Sequence, residues 1–471
     1  MPEMLSSKLS YNMEQMRNIF DVDKNFDIIY RVVKIGGREA CFYFIDGFTK
    51  DEILQKLMQY FIDRKPEDMP DNVHEMSKSL IPYGEIDLLQ DYQAVTKNLL
   101  SGVPILIIDG YDRAVAIDCR TYPSRGVEEP EKDKVMRGSK DGFVETVVFN
   151  SALIRRRIRS PELRMEIYTV GNSSKTDIVL SYMSSRVDPK VLDEIKTRLN
   201  AIEIDSLTMN QESLAECLYQ HKWYNPFPKF KFSERPDTTA ASILEGNIVL
   251  LVDNSPSAMI IPTSVFDIIE DADDYYFPPV TGTYLRLSRF VINIMAVLLT
   301  PTFLLLMMRP EWIPDWLAFI KIEDPVNIPL IIQLLMLEFA IDGLRLASLN
   351  TPSMLSTPLS IMAGIVVGDF TVSSGWFNSE IMLYMAFVAI ANYTQSSFEL
   401  GYALKFMRII LLILTSLFHV YGYIIGILLT IAAIVSNKTI SGKSYVYPLI
   451  PLNLKQLSRR LFRISLPRSE K

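Results

Sequence analysis

The chain has 471 residues, 22% of them charged and 49% hydrophobic, with three cysteines and three histidines. Residues 1 to 280 carry 33 Lys and Arg against 45 Asp and Glu, a net of −12, whereas residues 281 to 471 carry 15 against 10, a net of +5. With Cys41, Cys119 and Cys217 far apart and outside any C-x-x-C pair, this pattern excludes a disulfide-stapled secreted domain and a cysteine zinc site.

No H-E-x-x-H, G-x-S-x-G, G-x-x-x-x-G-K-[ST] or G-x-G-x-x-G occurs, so no catalytic residue, metal or cofactor is assigned and enzyme is the minority class. The first 25 residues contain Glu3, Lys8, Glu14 and Arg17 and lack an apolar run. They read as an N-terminal extension rather than a signal peptide, which leaves the body that follows in the cytoplasm.

Residues 26–118 read as a first mixed subdomain. Asp27 to Lys34 and Ala40 to Ile45 alternate as strands around Gly36-Gly37, and a helix opens near Thr49, its expected N-cap. Val103 to Ile108 and Ala114 to Ile117 flank Asp109-Gly110, which is hairpin chemistry. Residues 119–140 replace apolar periodicity by Pro, Gly and mixed charge, including Glu128, Glu129 and Glu131, and read as a linker or interaction loop.

Residues 141–280 form the second subdomain. A helical stretch up to Ile158 carries Arg155, Arg156, Arg157 and Arg159, whose charge suits a helix C-terminus and equally an acidic neighbour such as Glu128 to Glu131. Leu163 to Val170 with Thr176 to Tyr182, and Asn247 to Val252 with Ala258 to Ile261, are strand pairs, and Pro189 to Leu199 and Glu212 to Tyr219 are helices. The acidic run Asp267, Glu270, Asp271, Asp273 and Asp274 lacks calcium-loop spacing and reads as a solvated helix end.

Residues 281–437 read as membrane helices and 438–471 as a basic tail. Phe290 to Met308 is nineteen residues without a charge, enough for a hydrocarbon layer of ~30 Å, and Arg286 and Arg289 precede it on the expected cytoplasmic side. Ile328 to Ser348 is apolar but carries Glu338, Asp342 and Arg345 on one helical face, either a structural pair of Asp342 with Arg345 or part of an ion path. Leu359 to Gly368 and Ile381 to Ala391 are further apolar segments. Ile409 to Val435 is one long helix or a pair broken near Tyr421-Gly422. The basic tail places the C-terminus inside, which requires an even number of crossings, four or six. The fold class is therefore an α+β cytoplasmic region of two subdomains followed by an all-α multi-span transmembrane domain.

The blocks DGFTKDEI at Asp46 to Ile53, RGSKDGFVETVVFNSALIRRRI at Arg137 to Ile158, VGNSSKTDIVLSYM at Val170 to Met183 and TGTYLRLSRF at Thr281 to Phe290, in that order, resemble the GerA family of spore germination proteins, A-subunit type. Tyr122 to Gly138 looks more like the family's stage V sporulation protein AF branch than its nutrient-receptor A subunits. The resemblance implies an integral protein of the spore inner membrane with both termini on the core side. It also implies a ring-like homo-oligomer, a pentamer among its forms, acting as an ion channel that triggers or amplifies germination. Expected partners are other copies, the lipid bilayer, and a small membrane protein or receptor B and C subunits; nucleic acid is not among them. In that frame Glu338, Asp342 and Arg345 are candidates for the ion path, Ile365, Val366 and Val367 for an apolar gate, and Arg155 to Arg159 with Glu128, Glu129 and Glu131 for a subunit interface. A nutrient-receptor A subunit and a non-conducting scaffold are the alternatives.

Overall fold

The computed structural model describes residues 4–81, 83–120, 134–219, 224–350, 364, 371–440, 442 and 444–464. They fall into two units, Met1–His221 with Phe230–Pro262, and Lys222–Lys229 with Thr263–Lys471.

The first unit holds two antiparallel five-stranded sheets. Strands β1 (Ile28–Ile35), β2 (Arg38–Ile45), β3 (Ile86–Leu89), β4 (Ile105–Ile108) and β5 (Ala114–Ile117) lie in the order β1-β2-β4-β5-β3. Strands β6 (Leu163–Val170), β7 (Thr176–Met183), β8 (Lys231–Ser233), β9 (Ile248–Val252) and β10 (Ala258–Ile261) lie in the order β6-β7-β9-β10-β8. The helices alternate in step: α1 (Leu9–Phe20), α2 (Asp51–Ile62), α3 (Val73–Ser79) and α4 (Tyr92–Leu100) in the first half, α5 (Val147–Arg157), α6 (Pro189–Asn200), α7 (Asn210–Leu218) and α8 (Pro236–Leu244) in the second. Both halves therefore run α-β-β-α-α-β-α-β-β, one architecture used twice.

The repetition reaches individual atoms. Asn12 Nδ2 donates to the Ser6 carbonyl at 2.6 Å while its Oδ1 accepts from the Ser6 N–H at 2.9 Å. Asn150 does the same with Val144, at 2.5 and 2.8 Å. Asp109, after β4, accepts from the Leu9 N–H at 2.9 Å, and Asp253, after β9, accepts from the Val147 N–H at 3.0 Å. Both aspartates thus satisfy a donor at a helix start that no intrahelical bond can reach. Gly102 and Gly246 follow α4 and α8 with φ of 89° and 99°, where a side chain at Gly246 would meet the Arg186 carbonyl at 2.7 Å.

Strand alternation explains why the first sheet is covered on both faces. Cys41, Tyr43 and Ile45 of β2 pack with Leu9, Met16, Phe20 and Val95, whereas Ala40 and Phe42 pack with Leu54, Leu57, Phe61 and Met76. Residues 9–20, read from sequence as part of an extension, are thus a core helix of the first subdomain. Thr49 is not the cap of α2: Lys50 precedes the helix and Thr49 bridges to Arg120. The two halves meet at Asp27 and Arg155, both buried, with Arg155 Nε and Nη2 on the carboxylate at 2.9 and 3.1 Å.

In the second unit α9 (Val265–Ile269) and α10 (Asp273–Tyr276) lead into α11 (Pro279–Met308), followed by α12 (Leu330–Asn350), α13 (Ser379–Tyr393), α14 (Phe398–Val435) and α15 (Leu454–Leu461). By length and apolarity α11 and α14 are long enough to cross a membrane, and α13 is a shorter apolar helix. α14 is in fact two helices. His419 breaks it with φ 53° and ψ −128°, and the arms fold back so that a side chain at Gly422 would collide with the Leu414 carbonyl and one at Gly426 with Leu411. Of the two readings of this stretch, one long helix or a pair broken near Tyr421-Gly422, the structure shows the pair, with the break two residues earlier.

Contacts fix which helix ends lie together. At the end where α11 begins, Ser396 Oγ donates to the Ile268 carbonyl at 2.6 Å, the Val265 N–H to the Tyr445 carbonyl at 2.9 Å, and buried Lys229 to the Lys438 carbonyl at 3.0 Å. At the other end Gln333 and Asn378 exchange hydrogen bonds of 2.9 Å, Asn327 donates to the Gly375 carbonyl at 3.0 Å, and Phe303, Leu304, Leu334 and Phe377 share a core.

Candidate functional site

Four ionisable side chains meet near the middle of α12 and of the first arm of α14, before His419. Glu338 and Asp342 stand one turn apart on α12, and Lys405 and Arg408 stand three residues apart on α14, so each pair shares a helix face. Arg408 grips Glu338 in a fork, Nε to Oε1 at 2.6 Å and Nη2 to Oε2 at 2.9 Å, while its Nη1 donates to the Ala296 carbonyl of α11 at 2.6 Å. The planar guanidinium suits this bidentate geometry. Lys405 donates to the Glu338 carbonyl at 3.0 Å, lies 3.5 Å from Oε2 and pairs closely with Asp342.

Formal charges in the group sum to zero, two of each sign. Burial is uneven: the side chains of Arg408 and Glu338 are 0% and 2% exposed, whereas Asp342 is 33% exposed. A buried pair with every polar atom engaged is tolerable in an apolar helix layer, and an uncompensated one is not. Glu338 therefore anchors α12 to α14 and α11, and its carboxylate is committed to Arg408 rather than presented as a free pore charge. Asp342 is the member of the group with an open side. Arg345 does not pair with Asp342; its guanidinium lies over the rings of Phe398, Tyr402 and Tyr393 at 4.5, 5.1 and 5.9 Å.

A second charge group sits where α11 begins. Arg286 binds Glu270 at 2.5 Å and Asp274 at 3.3 Å, and Arg289 binds Asp274 at 2.5 Å. Arg460 binds Asp267 at 2.6 Å and Glu270 at 2.8 Å. The acidic run read as a solvated helix end is thus largely an internal ion-pair network, because the arginines of α11 and α15 fold against it. Burial pushes the Asp274 carboxyl above the usual carboxylate range, against the pull of Arg289 and Arg286. Among the described residues no group of three or more His, Cys, Asp or Glu is placed to hold a metal ion.

The arginine cluster of α5 divides likewise. Arg155 is consumed by Asp27 of the same chain, which removes it from the surface, and Arg157 binds Asp141 at 2.6 Å. Arg156 and Arg159 are exposed. Glu128, Glu129, Glu131, Ile365, Val366 and Val367 lie outside the described residues. Sequence reasoning missed Lys405 and Arg408 because a span bounded at its last charge starts at Ile409. Their spacing of three within a flanking apolar run was the available signal.

An α/β domain followed by apolar helices that bury a neutralised charge group is the build of a membrane-associated protein. Residues 14–471 match the family model described as Bacillus/Clostridium GerA spore germination protein, and the chain belongs to that family. It is 35% identical to stage V sporulation protein AF of Bacillus subtilis over 458 residues, 97% of this chain and 92% of that protein. It is 26% identical to spore germination protein KA of the same organism, over 98% of this chain and 86% of that one. The crystal structure of the N-terminal domain of the A subunit of the Bacillus megaterium spore germinant receptor GerK3 matches at 28% identity and TM-score 0.43, over 55% of this chain and 96% of that one.

Proposed function

We propose that this chain is a subunit of an oligomeric cation-permeable channel of the spore inner membrane that acts in germination, with both termini on the core side. The observation that carries the reading is the Glu338, Asp342, Lys405 and Arg408 group inside apolar helices, with Asp342 open on one side. Ionisable residues at such depth are costly and mark ion or substrate paths.

The paired helix ends support six crossings. α11 leaves the starting end, α12 returns from Gln333 to Arg345 beside Phe398, and α13 returns from Asn378 to a point beside Ser396. The folded-back arms of α14 supply the last two passes, and six is the even number of crossings this proposal adopts. The start of α11 and the basic tail then share one side, in keeping with Arg286 and Arg289 before the first span and the positive charge of residues 438–471.

In this proposal Asp342 lines the path, Arg345 borders it and Ile365, Val366 and Val367 form its apolar constriction. Copies of the chain assemble as a ring, a pentamer by family resemblance, with exposed Arg156 and Arg159 and the acidic residues 128–131 at the subunit boundary. Identity of 35% to stage V sporulation protein AF, against 26% to spore germination protein KA, favours the AF branch; with that branch we take the amplifying role and the small membrane partner that the family resemblance implies, over nutrient sensing with receptor B and C subunits. Purified protein in potassium-loaded liposomes tests the reading: ion release weakened by Asp342→Asn supports it, and no release from folded oligomers supports a scaffold instead.

A further inference from the structure

The segment that follows α14 carries a feature that neither the channel reading nor the family assigns. Between residues 449 and 464 six large apolar side chains are solvent-exposed: Leu449, Ile450, Leu452, Leu454, Phe462 and Ile464, at 38 to 70%. Within α15 the faces are segregated. Leu454, Leu457 and Leu461 share one side at helical spacing, Lys455 and Arg459 lie exposed on another, and Arg460 turns to a third, where it binds Asp267 and Glu270.

The position of α15 along α11 is fixed by three bonds. The Arg463 N–H donates to Thr283 Oγ1 at 3.1 Å, and Arg286 Nη1 donates to the carbonyls of Arg459 and Arg460 at 3.2 and 3.4 Å. Thr283 and Arg286 precede the charge-free stretch that starts at Phe290 by seven and four residues. At 1.5 Å per residue that is about 6 to 10 Å outside the hydrocarbon edge, the depth of the headgroup layer. At the opposite end of α11, Trp312, Trp316 and Phe319 are exposed just beyond Arg309, as an interfacial aromatic belt would be.

We infer that α15 with its flanks is a second membrane anchor, lying in the headgroup layer of the leaflet that α11 enters, with Leu454, Leu457, Leu461 and Phe462 toward the acyl chains and Lys455 and Arg459 on anionic headgroups. The occupant of the exposed apolar face is lipid, because the face is continuous with the helix that enters the bilayer and is flanked by positive charge. Arg460 latches the anchor to the acidic run, so the anchor holds the base of α11 at a fixed depth. The inference rests on the reading of α11 as a membrane span.

The test uses the full chain in lipid nanodiscs, with Cys217→Ser as background since Cys41 and Cys119 are buried. Spin labels are placed at Leu454→Cys, at Val291→Cys on the exposed side of α11 and at Asp193→Cys on α6 as aqueous reference. Relaxation by oxygen is compared with relaxation by a water-soluble nickel chelate. The expected result is an oxygen-dominated label at 454, intermediate between 291 and 193. Replacing Lys455 and Arg459 by Glu shifts the docked population by about fivefold per charge in anionic discs and not in zwitterionic ones. A lipid-exposed label at 291 with an aqueous one at 454 overturns the anchor alone; an aqueous label at 291 overturns the span with it. A label at 454 shielded from both agents and broadened by a neighbouring spin assigns the face to a second copy, which also overturns the inference.

Discussion

Arg408 holds both carboxylate oxygens of Glu338, at 2.6 and 2.9 Å, while its third nitrogen, Nη1, donates to the Ala296 carbonyl of a third helix. One side chain thereby ties α11, α12 and α14 together where water is excluded. Removing the acid leaves Arg408 buried without its partner, so Glu338→Gln is expected to cost about 3–5 kcal/mol. Asp342→Asn, at a partly open site, costs about 1 kcal/mol or less. Thermal unfolding of the two variants in detergent checks this ordering, and equal losses would contradict the division into anchor and open acid.

The paired asparagines make the internal repeat testable. Asn12 and Asn150 are buried, and Asn12→Ala and Asn150→Ala each strip the carbonyl and N–H of a half-buried residue, Ser6 or Val144, of their partners, with an expected cost of about 1 kcal/mol or more apiece. Similar losses in the two variants are the expected outcome in denaturant titrations. A large loss at one site and none at the other would show that the shared bonds do not carry equivalent roles.

His419 sits at positive φ, where a Cβ is unfavourable and Gly is not. His419→Gly is expected to keep or raise stability. Gly422→Ala is expected to lower it, since any Cβ there collides with the Leu414 carbonyl. Melting temperatures in opposite directions would support the folded-back arms; no loss in the alanine variant would argue for an extended helix.

Glu166 supplies a pH dependence in the α/β unit. Burial pushes its carboxyl up, but hydrogen bonds from Lys196 at 2.7 Å, Tyr182 at 2.6 Å and Tyr168 at 2.9 Å outweigh that and hold it below its ordinary value. Its folded pKa is therefore depressed, so its contribution is complete above the unfolded value of about 4.3 and is lost as pH falls below that. Wild type should lose stability between about pH 5 and 3 more steeply than Glu166→Gln; parallel curves would remove Glu166 from the acid response.

Local pattern carried much of the soluble fold. Strand pairs such as Leu163–Val170 with Thr176–Met183 announce themselves by alternation around Gly171, and the structure places them within a residue of the expected bounds. The doubled architecture was hidden because its signature residues, Asn12 with Asp109 and Asn150 with Asp253, are about a hundred residues apart in each half and bond backbone rather than each other. Glu338 and Asp342 were legible as charges inside an apolar helix. Their partners were not, since Lys405 and Arg408 look like the edge of a span until the fold brings them to the middle of the layer. The same limit applies to Arg155, whose acid lies 128 residues earlier.

The proposed ion path is tested most directly by current through the purified protein in a planar bilayer under a potassium gradient, wild type beside Asp342→Asn. Wild type is expected to give a current reversing near the potassium equilibrium potential, and the folded, assembled variant a clearly smaller conductance. Unaltered conductance and selectivity in Asp342→Asn would contradict the placement of that carboxylate on the ion path.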